Sequence, residues 1–176
     1  MKFKNLVALC VAITATGVSA QDRVTLQTNR GNIDINLPYG LDAPLATKNF
    51  YELCKRGYYD KTQFFRLTTQ GLYVVQGGDP TATGTGGESI YGKGFGYEKT
   101  NGQYTKGAVA TANAGPDTNG SQFFIIYRDS LPLPPMYTVF GQVTSGMDII
   151  EEVAVAGDDG GSGEGDGSPV MRFIII

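Results

Sequence analysis

The sequence predicts a mainly β domain, a barrel or sandwich with two helices packed against it. Three observations carry that prediction. Short segments rich in Val, Ile, Phe, Tyr and Thr recur along the chain, separated by Gly, Pro and Asn clusters. Only two stretches place apolar residues at helical spacing. No internal repeat or linker divides the chain, so the strands and helices belong to one unit.

The first twenty residues stand apart. Lys2 and Lys4 make a positive start, LVALCVAI an apolar centre, and Val18-Ser19-Ala20 a small-residue cleavage site. Residues 1–20 read as a cleavable signal peptide, and residues 21–176 as a single exported domain, periplasmic or secreted. The apolar run is too short for a membrane span, and no other candidate follows.

The elements then follow in order. Residues 24–28 and 32–37 flank Asn29-Arg30-Gly31, a hairpin turn with glycine available for a positive φ. Helix one follows Pro44, a residue suited to the first turn, and puts Ala46, Phe50, Leu53 and Cys54 on one face. Gly57 lies where a C-terminal cap belongs. Further strands are expected at 63–68, 72–76, 108–111, 122–127, 137–143 and 170–176. Helix two is expected from Ser145, as a side-chain cap, with Met147, Ile150, Val153 and Ala154 as its buried stripe and Gly157 at its end. Between it and the last strand, DDGGSGEGDG is a polar loop.

Composition excludes several chemistries. The chain has no histidine, and its two cysteines are Cys10, within the leader, and Cys54. Zinc sites, histidine-based triads and Cys-His pairs therefore have no ligands or bases to use. Loss of the leader removes two lysines and no acid, so a formal charge of −3 becomes more negative. Nucleic acid and anionic membranes both call for a basic surface and are disfavoured as partners.

Three local motifs read as loops. GESIYGKG has phosphate-loop spacing but ends in Gly94 where Ser or Thr should reach magnesium, and no long helix follows. Residues 158–167 hold four acids, enough oxygen for calcium, yet only one copy of the pattern occurs and a solvated turn is the plainer reading. Asn119-Gly120-Ser121 fits a glycosylation acceptor but falls inside a loop with other work to do.

That loop is ANAGPDTNGSQFF, residues 112–124, with one ionisable side chain in thirteen residues. With NFYELCKRGYYD, FFR, YVVQGGDPTATGTGGESIYG and YTVFGQVTSGMDII, in that order, it resembles the cyclophilin family of peptidyl-prolyl cis-trans isomerases. The resemblance covers about residues 24–176. It implies an eight-stranded antiparallel closed barrel capped by two α-helices, with a catalytic groove on the barrel's outside.

It also implies roles. Arg66 matches the catalytic arginine, which donates to the prolyl nitrogen as amide resonance is lost. Gln76 matches the glutamine that orients it, and Asn113 the asparagine whose backbone binds the residue before proline. Ala112 and Gln122 match the adjoining groove. Phe124 matches the floor of the proline slot, Leu133, Val74 and Tyr73 its walls, and Tyr137 the position of a pocket histidine. No metal or cofactor is implied; the partners are proline-containing polypeptides, and a monomer is the default state. Phe65 stands where the family has histidine, and Arg66 and Gln76 are two residues further apart than in the common pattern. Pro132 falls at the family's pocket tryptophan, which predicts weak binding of a cyclosporin-type macrocycle.

A second reading stays beside the enzyme: a proline-peptide-binding or chaperone module with weak catalysis, suggested by the longer Arg66–Gln76 spacing and the altered pocket edge. Retention of Arg66 favours the isomerase. A calcium-stabilised structural domain rests on the acidic loop alone.

Overall fold

The computed structural model describes residues 23–28, 30–40, 42–68, 71–129 and 133–157. The segment expected to be a signal peptide (residues 1–20), Pro132, the acidic stretch 158–167 and the strand expected at 170–176 lie outside the described residues.

Chain order is β1 (Arg23–Thr28), β2 (Gly31–Asn36), α1 (Pro44–Lys55), β3 (Arg66–Thr68), β4 (Val74–Gly77), β5 (Ala108–Thr111), β6 (Phe123–Ile126), β7 (Val139–Ser145) and α2 (Met147–Gly157). All seven strands join one sheet in the order β1-β2-β7-β5-β6-β4-β3, every pair antiparallel. The sheet curls: α2 packs against β2 near one end and against β3 and β4 at the other. Of the expected eight-stranded closed barrel, the mainly β antiparallel architecture with two helices is present, while the expected last strand lies outside the described residues. Among the described residues the sheet has seven strands, and its end strands β1 and β3 do not pair.

Local chemistry explains most boundaries. The β1–β2 hairpin registers Thr28 opposite Gly31, whose φ of +136° a side chain would resist. Helix α1 starts with Pro44 in its first turn, but Ala43 at the N-cap offers no side-chain acceptor. Glu98 supplies it from a distance, its two carboxylate oxygens accepting from the N–H groups of Leu45 (2.9 Å) and Ala46 (2.8 Å). The helix ends as expected at Gly57, with φ +69°. The Gly57 N–H reaches the Cys54 carbonyl (2.9 Å) and the Tyr58 N–H the Leu53 carbonyl (3.0 Å).

Helix α2 begins differently from the expectation. Ser145 is the last residue of β7, and Gly146, at φ +85°, makes the turn into the helix. A Cβ there would sit 2.4 Å from the Asn32 carbonyl oxygen, so the close approach of β2 demands glycine. Ile150 and Ala154 are buried as expected, while the Val153 side chain lies outside the description.

Two apolar clusters occupy opposite faces of the sheet. The inner one packs Ile33, Ile35, Val75, Val109, Phe123 and Ile125 beneath both helices, including Cys54 of α1. Phe50 anchors it, with ring centroids 5.2 Å from Phe123 and 5.0 Å from Phe140. The outer cluster is smaller and comprises Val74, Ala108, Ala110, Phe124, Ile126 and Val139. Strands β5 and β6 therefore bury both faces, which is why AVAT and FFII show no alternation of apolar and polar residues. The outer cluster is the floor on which the candidate site is built.

Candidate functional site

Strand register assembles the site. Arg66 on β3 pairs with Gln76 on β4, Gln76 with Phe124 on β6, and Phe124 with Ala110 on β5. Paired residues in a sheet share a face, so these side chains form one row across the outer surface. The extra length between Arg66 and Gln76 lies between Thr68 and Val74, the last paired residues, and leaves the register intact.

The same period of two corrects one assignment. Tyr73 is not a wall of the slot. It projects to the opposite face, where its ring packs edge-on against Tyr127 at 5.7 Å and Arg128 stacks 5.6 Å from its centroid. Leu72 takes the expected place beside Val74. Counting back from Gln76, only even-numbered residues reach the outer face, so an offset of one residue exchanges groove for core.

Two cavities meet along the row. The smaller, about 80 Å³, has apolar walls from Leu72, Val74, Leu133 and Tyr137 over Phe124. Phe124 and Tyr137 meet edge to face, 5.4 Å between centroids at 86°. The larger, about 480 Å³, is bounded by the 84–87 segment, Gln122 and Ala114. Arg66, Gln76, Ala112 and Asn113 line both, and Arg66 is the sole charged side chain lining either. It makes no ion pair among the described residues.

A directed chain of amides holds the arginine. Gln122 Nε2 donates to the carbonyls of Gly84 (3.0 Å) and Gly86 (2.7 Å), which turns its Oε1 toward Gln76. Gln76 Nε2 donates to that oxygen at 2.9 Å, leaving Gln76 Oε1 to accept from Arg66 at 3.4 Å. Each amide has one orientation that serves both neighbours.

Three further residues support the site, and two of them, Tyr104 and Asn49, carry no signal at the level of single motifs. Buried Asp79 accepts from the N–H groups of Thr81, Thr83, Gly84 and Gly86, so it shapes the segment whose carbonyls hold Gln122. Burial pushes its carboxyl up, but bonds from the Thr81 hydroxyl and from the Thr81, Gly86 and Gly84 N–H groups outweigh that and hold it below its ordinary value of 3.8. Tyr104 donates its phenolic hydrogen to the Tyr137 carbonyl (2.8 Å) and accepts from the Tyr137 N–H (3.3 Å), pinning the segment that carries Leu133 and Tyr137. Buried Asn49 reaches from α1 to the Gly120 carbonyl and the Ile90 N–H. For Asp79 the hint was GGDPTATGTGG, an acid followed by small donors.

Within ANAGPDTNGSQFF, Asn113 uses its side chain internally. Its Nδ2 donates to the Met136 carbonyl (2.9 Å) and Asn119 Oδ1 (3.1 Å). Buried Asn119 is thus a structural residue, bonded also to the Gly96 carbonyl, and unsuited to carry a glycan. The Ala112 N–H makes the last ladder bond, to the Gln122 carbonyl (2.9 Å). Beyond it the Asn113 peptide N–H and C=O have no partner among the described residues. The residues 87–94 form turns with no helix behind them, as expected of a surface loop.

The site is an exposed groove with an apolar slot, one guanidinium without an ion pair and unpaired peptide groups, and among the described residues neither cavity is lined by a histidine, cysteine, lysine or carboxylate. Residues 23–175 match the model of the cyclophilin type peptidyl-prolyl cis-trans isomerase family. The chain belongs to that family. Its relatives include peptidyl-prolyl cis-trans isomerase-like 1 of Rhizopus delemar, 46% identical over 81% of this chain and 86% of that one. Peptidyl-prolyl cis-trans isomerase cypE of Dictyostelium discoideum is 48% identical over 76% of this chain and 85% of its own. Among solved structures, a Cryptosporidium parvum cyclophilin-type isomerase crystallised in the presence of the dipeptide Ala-Pro has a TM-score of 0.72 at 38% identity, covering 87% and 94% of the two chains. As a cyclophilin, the chain is a peptidyl-prolyl cis-trans isomerase.

Proposed function

We propose that Arg66 lowers the barrier to rotation about X–Pro bonds in polypeptides held across this groove, by stabilising the twisted amide. The carrying observation is the row Arg66–Gln76–Phe124, which sets one oriented guanidinium above an apolar slot. Amide resonance opposes the rotation with a barrier of ~18–20 kcal/mol, and no covalent bond need break. As resonance is lost the prolyl nitrogen regains its lone pair, and a permanently charged donor there favours the transition state over either planar form. Phe124, Val74, Leu133, Tyr137 and Leu72 hold the ring. The free Asn113 peptide groups pair with the residue before proline, and Ala112 and Gln122 bound its path. The absence of histidine costs this chemistry nothing.

The test follows cis–trans exchange of a short Ala-Pro peptide by NMR, with wild type and Arg66→Ala. A charged hydrogen bond is worth roughly 1.5–3 kcal/mol, so the variant should be slower by about one to two orders of magnitude. Peptide resonances that shift without acceleration by wild type would replace this mechanism by the binding-module reading.

Two finer points belong to the same proposal. A strand at 170–176 would cover an otherwise unpaired edge of β1 or β3 and complete an eight-stranded barrel; an unchanged melting temperature on deleting it would remove that idea. Export rests on residues 1–20 alone, and the relatives named above carry no mention of it. A fractionated host should yield a chain beginning at Gln21; an intact Met1 start there would end the reading.

A further inference from the structure

A third cavity, about 300 Å³, adjoins the site and has no part in the mechanism above. Its surface is overwhelmingly apolar, with Tyr97, Met136, Pro116 and Pro135 as walls and Asp117 at the rim. Tyr97 is 42% and Met136 38% exposed, two of the three large hydrophobic side chains left open among the described residues. Leaving them in water is unfavourable, and placing them together in a concavity marks a binding surface.

Asn113 ties this cavity to the slot. It lines all three cavities, and its side chain holds the Met136 carbonyl. The loop it begins divides its residues, with Ala114 and Thr118 facing the 480 Å³ groove and Gly115, Pro116 and Asp117 facing the apolar cavity. The loop therefore separates a glycine-lined, polar groove from an apolar one. A polypeptide bound in extended form sends successive side chains to opposite sides. With the residue before proline at Asn113, it and the residue preceding it would point to the two sides of that loop.

We infer that the Tyr97–Met136 cavity is a specificity subsite for a large apolar side chain within the two residues before the proline. The inference rests on the groove reading above and adds a substrate class to it: X–Pro bonds preceded by an aromatic or leucine-like residue, in an unfolded or extended segment. An apolar occupant is favoured over a charged one because most of the lining surface is hydrocarbon or ring, with Asn113, Asn119 and Asp117 as its polar members.

The test compares three peptides with an Ala-Pro centre: all alanine before the proline, Phe immediately before it, and Phe one residue earlier. Affinity comes from chemical-shift titration and turnover from exchange rates, with wild type, Tyr97→Ala and Tyr97→Phe. Tyr97 touches neither slot nor arginine, and its exposure makes the replacement tolerable to the fold. Wild type should bind one of the Phe peptides about tenfold more tightly than the alanine peptide, as expected for burying much of a phenyl ring. Tyr97→Ala should lose that preference and keep its action on the alanine peptide, while Tyr97→Phe keeps both. Equal affinity for all three peptides, or a Phe preference that survives Tyr97→Ala, overturns the subsite while exchange still runs. No binding or acceleration of any peptide overturns the groove reading, and the subsite with it.

Discussion

Gln76 Nε2 donates to Gln122 Oε1 at 2.9 Å, and through that bond a residue that does not touch Arg66 sets the direction of its guanidinium. The two glutamines are 46 residues apart and meet because β4 and β6 are adjacent strands.

Gln122→Leu should therefore impair isomerisation without removing the arginine. A neutral hydrogen bond contributes about 0.5–1.5 kcal/mol, so the rate should fall about three- to tenfold, less than for Arg66→Ala. Gln76→Leu and Gln122→Leu act on one chain and should be markedly sub-additive in a double-mutant cycle followed by NMR exchange. Fully additive losses would mean that the glutamines act separately.

Asp79→Asn should destabilise the protein, because an amide nitrogen would face backbone donors that now point at carboxylate oxygen. A loss of about 2–3 kcal/mol is expected, or about 5–10 °C in Tm. The carboxyl is depressed in the folded chain, so the unfolded chain binds more protons in the acid range and stability rises with pH there. The contribution is complete above 3.8 and disappears as pH falls through the lower folded value. Denaturation curves should show the gap between wild type and variant narrowing below that pH; a gap independent of pH would assign the loss to something other than the charge.

Tyr104→Phe keeps the ring in the outer cluster and removes the hydroxyl that pins Tyr137. Peptide affinity should weaken about three- to tenfold, the worth of one or two hydrogen bonds, with the bound-state exchange rate preserved because Arg66 is untouched. A lower Tm with unchanged affinity would reduce Tyr104 to a packing residue.

Glu98→Ala removes both carboxylate acceptors from the start of α1. A cost of about 1–2 kcal/mol is expected from thermal melts, with Glu98→Gln in between since it keeps one acceptor. The effect should leave peptide affinity alone, because Glu98 lines none of the three cavities.

Cyclosporin-type macrocycles are expected to bind weakly, because the chain has no tryptophan and the resemblance to the family sets Pro132 where its pocket tryptophan would stand. Calorimetry giving a nanomolar Kd would refute this.

Much of this molecule is legible without coordinates. Alternation in NIDINL and the apolar run FFII mark β2 and β6, Pro44 and Gly57 bracket α1, and ANAGPDTNGSQFF with FFR points to the family and to its arginine. These are local signals, set by propensity, capping and the two-residue period, and they are written wherever the residues stand.

What the tertiary structure decided has a different physical origin. Whether Leu72 or Tyr73 faces the slot depends on register, and one residue reverses every side chain of the strand. The cap of α1 comes from Glu98, 53 residues from Leu45, and the brace of Tyr137 from Tyr104, 33 residues away. Both pairings exist only once the sheet has brought remote loops together. Composition excludes histidine from this protein's chemistry; strand pairing determined which neutral side chains line up behind the guanidinium of its groove.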